Sequence, residues 1–179
     1  MPSSAFLWQG KTTTHRVLGI DPGTRVAGFA ALESCGSSTS YMASGAVMLP
    51  VRQSLPERIG ELFCRTQELI ALYQPHELAL EGAFMHLYPQ AALRLGEARG
   101  AVLAAASHCG IPVWEYPPAQ VKEVVTGCGS ATKERMQAMV VRLLHLSGTP
   151  RSDAADAIGL AICHIRCREG AWRQQVTLT

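Results

Sequence analysis

The sequence predicts an α/β protein with a mixed five-stranded sheet between layers of helices. Two observations support this class. Three strand-like segments follow one another before residue 50, and helical and strand-like segments alternate after residue 55. The first pattern predicts an antiparallel meander, and the second predicts two further parallel strands with helices on both faces. The 179 residues, 47% of them hydrophobic, suffice for one domain with a buried core.

The meander is predicted from three apolar runs that are bounded by turn-forming residues. The runs span 16–20, 26–33 and 41–49. Gly23 indicates a tight turn after the first run, and the Gly- and Ser-rich stretch 34–40 predicts a loop between the second and third strands. Short connections of this kind favour antiparallel neighbours.

Helical periodicity dominates the rest of the chain. Gly110 and Pro112 mark the end of a long Ala-rich helix, and Ser130 and Ser152 are predicted to cap the N-termini of the last two helices. The predicted order is helix 55–73, strand 77–81, helix 91–109, strand 113–116, helix 117–126, helix 130–146 and helix 152–168. Together with the meander, this order is typical of the ribonuclease H-like fold.

Composition predicts one domain at 16–170, preceded by a flexible extension (1–15) and followed by a short tail (171–179). No apolar run approaches the ~18 residues of a membrane span or the pattern of a signal peptide, so we expect no membrane contact and a cytoplasmic location. The six cysteines lack zinc-ligand spacing and are expected to be small core residues. A net charge of +2 leaves DNA binding open, provided that positive charge is clustered.

Four carboxylates occupy the ends of predicted elements. Asp21 follows a buried run and precedes Pro-Gly, and Glu81 ends the fourth strand. Asp153 and Asp156 share one face of the last helix at its start. Taken singly, these acids are explained as a turn former, a strand-end acid and partners of the helix dipole. Together, oxygen ligands at one sheet edge predict a site for two Mg²⁺ or Mn²⁺ ions, which suits phosphodiester hydrolysis.

Five segments, in this order along 17–166, resemble the RuvC family of bacterial Holliday junction resolvases. Five matched blocks are far more specific than any one of them. They are Gly-Ile-Asp-Pro-Gly at 19–23, Leu-Glu-Gly-Ala-Phe-Met at 80–85, Leu-Gly-Glu-Ala-Arg-Gly at 95–100, Gln-Val-Lys at 120–122 and Asp-Ala-Ala-Asp-Ala at 153–157.

The resemblance implies a homodimer that nicks opposed strands of a four-way DNA junction at symmetric positions, in recombination and repair. It implies the RuvA and RuvB branch-migration complex as a partner. Lys122 and Lys133 match family lysines that contact DNA or assist at the scissile phosphate, and Phe84 matches an aromatic residue that acts on bases at the crossover. The implied metal ligands are Asp21, Glu81, Asp153 and Asp156.

Local patterns leave alternatives for these contacts. Lys133 opposes the dipole of its helix, so it could form an anion site with the backbone N–H groups, or it could be an ordinary solvated lysine, as could Lys122. Phe84 could stack on a base or lie in the core. Arg25 and Arg94 are candidate phosphate contacts or plain surface charges.

The sequence departs from the family pattern after the fourth strand. Tyr88 and Ala91 replace the usual Asn and Ser, so the resemblance does not extend to the cut-site preference of the family. Gly82 also replaces a bulkier polar residue. Three other functions fit parts of the pattern. A nucleotide-binding protein of the sugar kinase or actin-like class would need a second domain, a pure junction binder would not need four acids, and a ribosomal RNA-processing nuclease would share the fold.

Overall fold

The computed structural model describes residues 13–82 and 89–170. The predicted positions Phe84 and Tyr88 lie outside these residues. The elements are β1 (His15–Asp21), β2 (Val26–Cys35), β3 (Ser38–Met48), α1 (Leu55–Tyr73), β4 (Glu77–Glu81), α2 (Pro89–His108), β5 (Val113–Tyr116), α3 (Pro118–Thr126), α4 (Lys133–Leu144) and α5 (Ser152–Arg168).

The five strands form one sheet in the order β3-β2-β1-β4-β5. β1, β2 and β3 pair antiparallel, whereas β1, β4 and β5 run parallel. This topology confirms the predicted meander with two added parallel strands. Because parallel strands end at the same edge of a sheet, the last residues of β1 and β4, Asp21 and Glu81, reach one edge.

The hairpin between β2 and β3 differs from the prediction of a loop at 34–40. Pairing continues to Cys35 opposite Ser38, which leaves a two-residue turn. Gly36 occupies this turn with a φ of 60°, a left-handed conformation that glycine adopts without a steric penalty. The polar residues predicted as a loop therefore belong mostly to β2 and to the outermost strand, β3.

Helices cover both faces of the sheet, as predicted. On one face, Leu18 and Ile20 of β1 pack with residues of α1 and α2, including Leu62 and Val102. On the other face, β1 packs through Val17 against α3, α4 and α5. Alternate residues of the strand thus enter two separate cores, because successive side chains point to opposite faces.

Two glycines let α5 approach the sheet at backbone distance. A Cβ on Gly19 of β1 would overlap the carbonyl oxygen of Ala157, and a Cβ on Gly28 of β2 would overlap that of Asp153. The first two turns of α5 therefore lie directly on the strands. This close packing determines where the acids of α5 stand relative to the end of β1.

Several predicted boundaries are wrong by a few residues. His15, assigned to the extension, is the first residue of β1 and pairs with Ser34. The N-cap of α4 is Thr132, whose hydroxyl accepts a hydrogen bond from the Arg135 N–H at 3.3 Å, rather than Ser130. Ser152 is already the first residue of α5. Differences of one or two residues at the ends of elements are ordinary. In the described parts of the chain, no helix has both the length and the apolar character needed to cross a bilayer.

Candidate active site

Asp21 ends β1 at the sheet edge described above, partly buried between the helices. Burial raises the pKa of its carboxyl to about 8, with further increases from the negative charges of Glu81, Asp156 and Asp153, in that order. Lys133 acts in the opposite direction. Asp21 is thus within electrostatic range of all three other acids, and the four predicted carboxylates lie in the same region of the sheet edge.

Glu81 reaches this group because β4 lies beside β1 and ends at the same edge. The end of β4 is held from two sides. The Gly82 N–H donates to the Tyr116 carbonyl at 2.8 Å, and the guanidinium of Arg99 donates to the backbone carbonyl of Glu81. Arg99 is itself buried on α2 and pairs with Glu115 at 3.0 Å. The strand end that carries Glu81 is therefore anchored to α2 and β5.

Asp153 and Asp156 enter from the first two turns of α5, three residues apart on one helix face. Burial raises the pKa of the Asp156 carboxyl, the positive charges of Lys133 and Lys122 lower it, and Asp153 raises it. Both carboxyls are only partly exposed. The same packing that brings α5 onto the sheet therefore places this pair within electrostatic range of Asp21.

The two predicted lysines lie beside the acids. Lys133, the first residue of α4, has its Nζ 3.9 Å from the Asp156 Oδ2, and 69% of its side chain is exposed. Lys122 of α3 lines a recess of about 30 Å³ together with Glu81 and Asp156. An exposed ion pair at this distance is weak, so the Lys133 ammonium remains available to an incoming anion.

The remaining predicted contacts are not joined to the acids. Arg25 lies in the turn between β1 and β2, where its backbone carbonyl accepts from the Leu49 N–H at 2.8 Å. Arg94 is exposed on α2, as is Ala91 near the start of that helix. Within 13–82 and 89–170, the structure records no ion pair or hydrogen bond between either arginine side chain and the four acids.

Two arginines at the site were missed by sequence reasoning. Arg99 falls in a matched block, but no role was assigned to it. Its spacing could have indicated burial. Arg99 lies three residues before Val102 and seven before Ala106 on α2, and therefore shares a helix face with these core residues. Arg151 precedes α5 and lies 4.0 Å from the Asp153 Oδ2. It carried no signal, since an arginine in a loop is ordinary.

The donor set fits hard divalent cations. Four carboxylates supply only oxygen ligands, which Mg²⁺ and Mn²⁺ prefer. Burial is the main cause of the raised pKa of Asp21, and the negative charges of the three other acids add to it. A bound divalent ion would offset both effects and keep the carboxyls ionised.

Comparison with known proteins shows the family to which the chain belongs. A profile of the family described as "Crossover junction endodeoxyribonuclease RuvC" matches residues 17–164. A relative of that name from Dechloromonas aromatica is 49% identical over 158 residues, which cover 88% of each chain. Another, from Paraburkholderia phytofirmans, is 50% identical over 149 residues, covering 83% of this chain and 82% of the relative.

Solved structures show the same fold. RuvC of T. thermophilus in complex with Holliday junction substrate superposes with a TM-score of 0.82 at 33% identity, covering 88% of this chain and 96% of that chain. The yeast mitochondrial Holliday junction resolvase Ydc2 shares the fold at 16% identity, with a TM-score of 0.63 and coverage of 89% and 82%. The fold is thus ribonuclease H-like, and the chain belongs to the RuvC family of crossover junction endodeoxyribonucleases, metal-dependent nucleases that hydrolyse phosphodiester bonds.

Proposed function

We propose that this protein resolves four-way DNA junctions by paired, symmetric nicks, in recombination and repair. The observation that carries the proposal is the electrostatic effect of three further carboxylates on Asp21, with Lys133 beside Asp156. The relative from T. thermophilus, solved with a Holliday junction substrate, supports the choice of substrate. Membership of a nuclease family also disfavours the sugar kinase and actin-like alternatives.

The four acids, Asp21, Glu81, Asp153 and Asp156, would hold two Mg²⁺ or Mn²⁺ ions. Such ions lower the pKa of an attacking water and stabilise the leaving oxygen in an in-line displacement. The chain would position these ions through Asp21 and Glu81 at adjacent strand ends and through the other two acids on α5. Lys133 and Lys122, which lie near Asp156, would supply positive charge to the scissile phosphate.

The proposal extends to partners and location. A junction has approximate two-fold symmetry, so a second copy of this chain, related by a two-fold axis, would present two active sites to opposed strands. Phe84 would act on bases at the crossover, and Arg25 and Arg94 would contact phosphates. We also propose that the enzyme works in the cytoplasm with the RuvA and RuvB branch-migration complex.

The direct test uses purified protein, a synthetic four-way junction and a linear duplex of the same sequence. Each is incubated with Mg²⁺, with Mn²⁺ or with EDTA. Paired nicks at the junction, absent from the duplex and from EDTA, are expected. Cutting of the duplex at an equal rate, or cutting in EDTA, would contradict the proposal.

A matched pair of variants connects the activity to the site. Asp21→Asn replaces a charged carboxylate ligand by a neutral amide. It is expected to abolish cutting, while the junction is still bound in a gel-shift assay. Glu68→Gln removes a carboxylate from the exposed face of α1, far from the site, and should cut normally. Normal cutting by the Asp21 variant would overturn the assignment of the metal site.

A further inference from the structure

A second cluster of metal-ligating side chains lies at the opposite edge of the sheet. His15 begins β1, Glu77 begins β4, and His164 lies in the C-terminal half of α5. Since β1 rises by about 3.3 Å per residue, His15 and Asp21 are roughly 20 Å apart. This second cluster is therefore independent of the four acids.

The three side chains converge on one point. The His15 Nε2 lies 2.6 Å from the Glu77 Oε2, and the His164 Nε2 lies 2.9 Å from the same oxygen. One ligand atom from each residue falls within 4.8 Å of the others. His164 is 1% exposed and Glu77 is 9% exposed, whereas His15 is partly exposed at the rim. The cluster is thus a mostly buried site with one accessible side.

Further hydrogen bonds orient two of the three ligands. The Tyr116 hydroxyl lies 2.7 Å from the His164 Nδ1, which directs the Nε2 of the ring toward Glu77. The Trp114 indole N–H donates to the other carboxylate oxygen, Glu77 Oε1, at 3.2 Å. Protein metal sites characteristically hold their imidazole and carboxylate ligands through such outer partners. Both outer partners come from β5, next to β4.

We propose that His15, Glu77 and His164 bind one transition-metal ion of the Zn²⁺ class, which joins β1, β4 and α5. Two imidazoles and one carboxylate are a recognised zinc ligand set, with a fourth position left for water. Imidazole ligands select Zn²⁺, Co²⁺ or Ni²⁺ over Mg²⁺, unlike the oxygen-only set at the other edge. The two edges of the sheet would then hold different classes of metal.

The ionisation states of the ligands suit this role. Burial lowers the pKa of His164, which keeps its imidazole neutral and able to coordinate. For Glu77, burial alone would raise the pKa, but hydrogen bonds from His164, His15 and Arg168 bring it to about 2. The carboxylate is therefore ionised at neutral pH.

In the absence of metal, Arg168 lies at the accessible side of the cluster. Its Nη1 donates to the Glu77 Oε2 at 2.5 Å, while 45% of the side chain is exposed. Because Arg168 lies on the last turn of α5, its side chain can rotate into solvent and free the carboxylate oxygen. The guanidinium would then be a competitor of the metal. If this hydrogen-bond network had only a structural role, Arg168 would be one of the residues that it requires.

The test measures metal binding by chelator-stripped, full-length protein in the Asp21→Asn background, which weakens the catalytic metal site. Zn²⁺ is titrated by calorimetry, and Co²⁺ is followed by visible absorption. We expect one equivalent of Zn²⁺ and tetrahedral Co²⁺ bands without a thiolate charge-transfer band. No binding, or a thiolate band that reports one of the six cysteines, would overturn the proposal.

Variants assign the ligands. His15→Gln, at the rim, should weaken Zn²⁺ binding at least tenfold, and the matched control His108→Gln, at the exposed end of α2, should not change it. Arg168→Ala should bind Zn²⁺ more tightly than the parent. Unchanged Zn²⁺ affinity in His15→Gln, or weaker Zn²⁺ binding in Arg168→Ala, would overturn the proposal. These two variants decide the question even if a variant of the buried His164 fails to fold.

Discussion

The backbone of Gly28 lies directly against the carbonyl of Asp153, so closely that a Cβ at residue 28 would overlap that oxygen. Gly19 makes the same kind of contact with Ala157, one turn further along α5. The backbones of β1 and β2 thus pack directly against α5. The positions of Asp153 and Asp156 depend on two residues that carry no functional group.

Gly28→Ala should therefore impair catalysis through geometry. The added methyl must push α5 away from β2, which is expected to cost about 1–3 kcal/mol of stability. It should also reduce junction cleavage at least tenfold, because the α5 acids move away from Asp21. Urea unfolding and a single-turnover cleavage assay measure the two effects.

Gly60→Ala is the matched control for this variant. A Cβ at Gly60, on the exposed face of α1, would meet no atom within 4 Å. In a helix interior this change is expected to raise the free energy of unfolding by up to about 1 kcal/mol. Equal behaviour of the Gly28 and Gly60 variants would show that the close approach is not needed.

The raised pKa of Asp21 predicts a pH dependence of stability in EDTA. In the folded state its carboxyl stays protonated up to about 8, whereas in the unfolded chain it ionises near 3.8. Between these values the folded state holds the extra proton, so the free energy of unfolding should fall as pH rises through this window.

Asp21→Asn should remove this contribution and flatten the pH profile. The comparison is made by denaturant unfolding of parent and variant at several pH values in EDTA. The difference between the two profiles isolates Asp21 from other titrating groups. Mg²⁺ should stabilise the parent at neutral pH and the variant less. Parallel profiles for the two proteins would show that the pKa of Asp21 is not raised in the folded state.

Lys133→Ala should slow cleavage more than it weakens binding. Its ammonium lies beside Asp156, where we propose that the scissile phosphate binds, so we expect a loss of about 10²-fold in the cleavage rate. Arg142→Ala, which removes a positive charge from the far end of the same helix, serves as the control. Equal losses of binding and cleavage in Lys133→Ala would reduce this lysine to a phosphate contact.

Arg99→Leu should raise the metal concentration needed for half-maximal cleavage. Without the guanidinium, the carbonyl of Glu81 and the carboxylate of Glu115 lose their donor, and the end of β4 loosens. We expect a loss of about 2 kcal/mol in stability. Arg65→Leu, on the surface of α1, is the control. A Mg²⁺ requirement unchanged from the parent would show that Arg99 does not position Glu81.

Local patterns were enough to predict the order of the elements and the four acids. The run before Asp21 is apolar and ends at a Pro-Gly turn, so its acid had to stand at a strand end. Asp153 and Asp156 share a face because of helical periodicity. These features depend on residues close together in the chain, and the family resemblance joined them into one site.

Tertiary structure decided which distant groups meet. His15 and Glu77 are 62 residues apart in the chain, and Glu77 and His164 are 87 apart, so their cluster exists only through the register of β1 with β4 and the packing of α5. The role of Arg99 and the close approach at Gly28 arise in the same way. Burial and backbone contact between elements depend on the assembled sheet, whereas periodicity and turn chemistry are properties of the local chain.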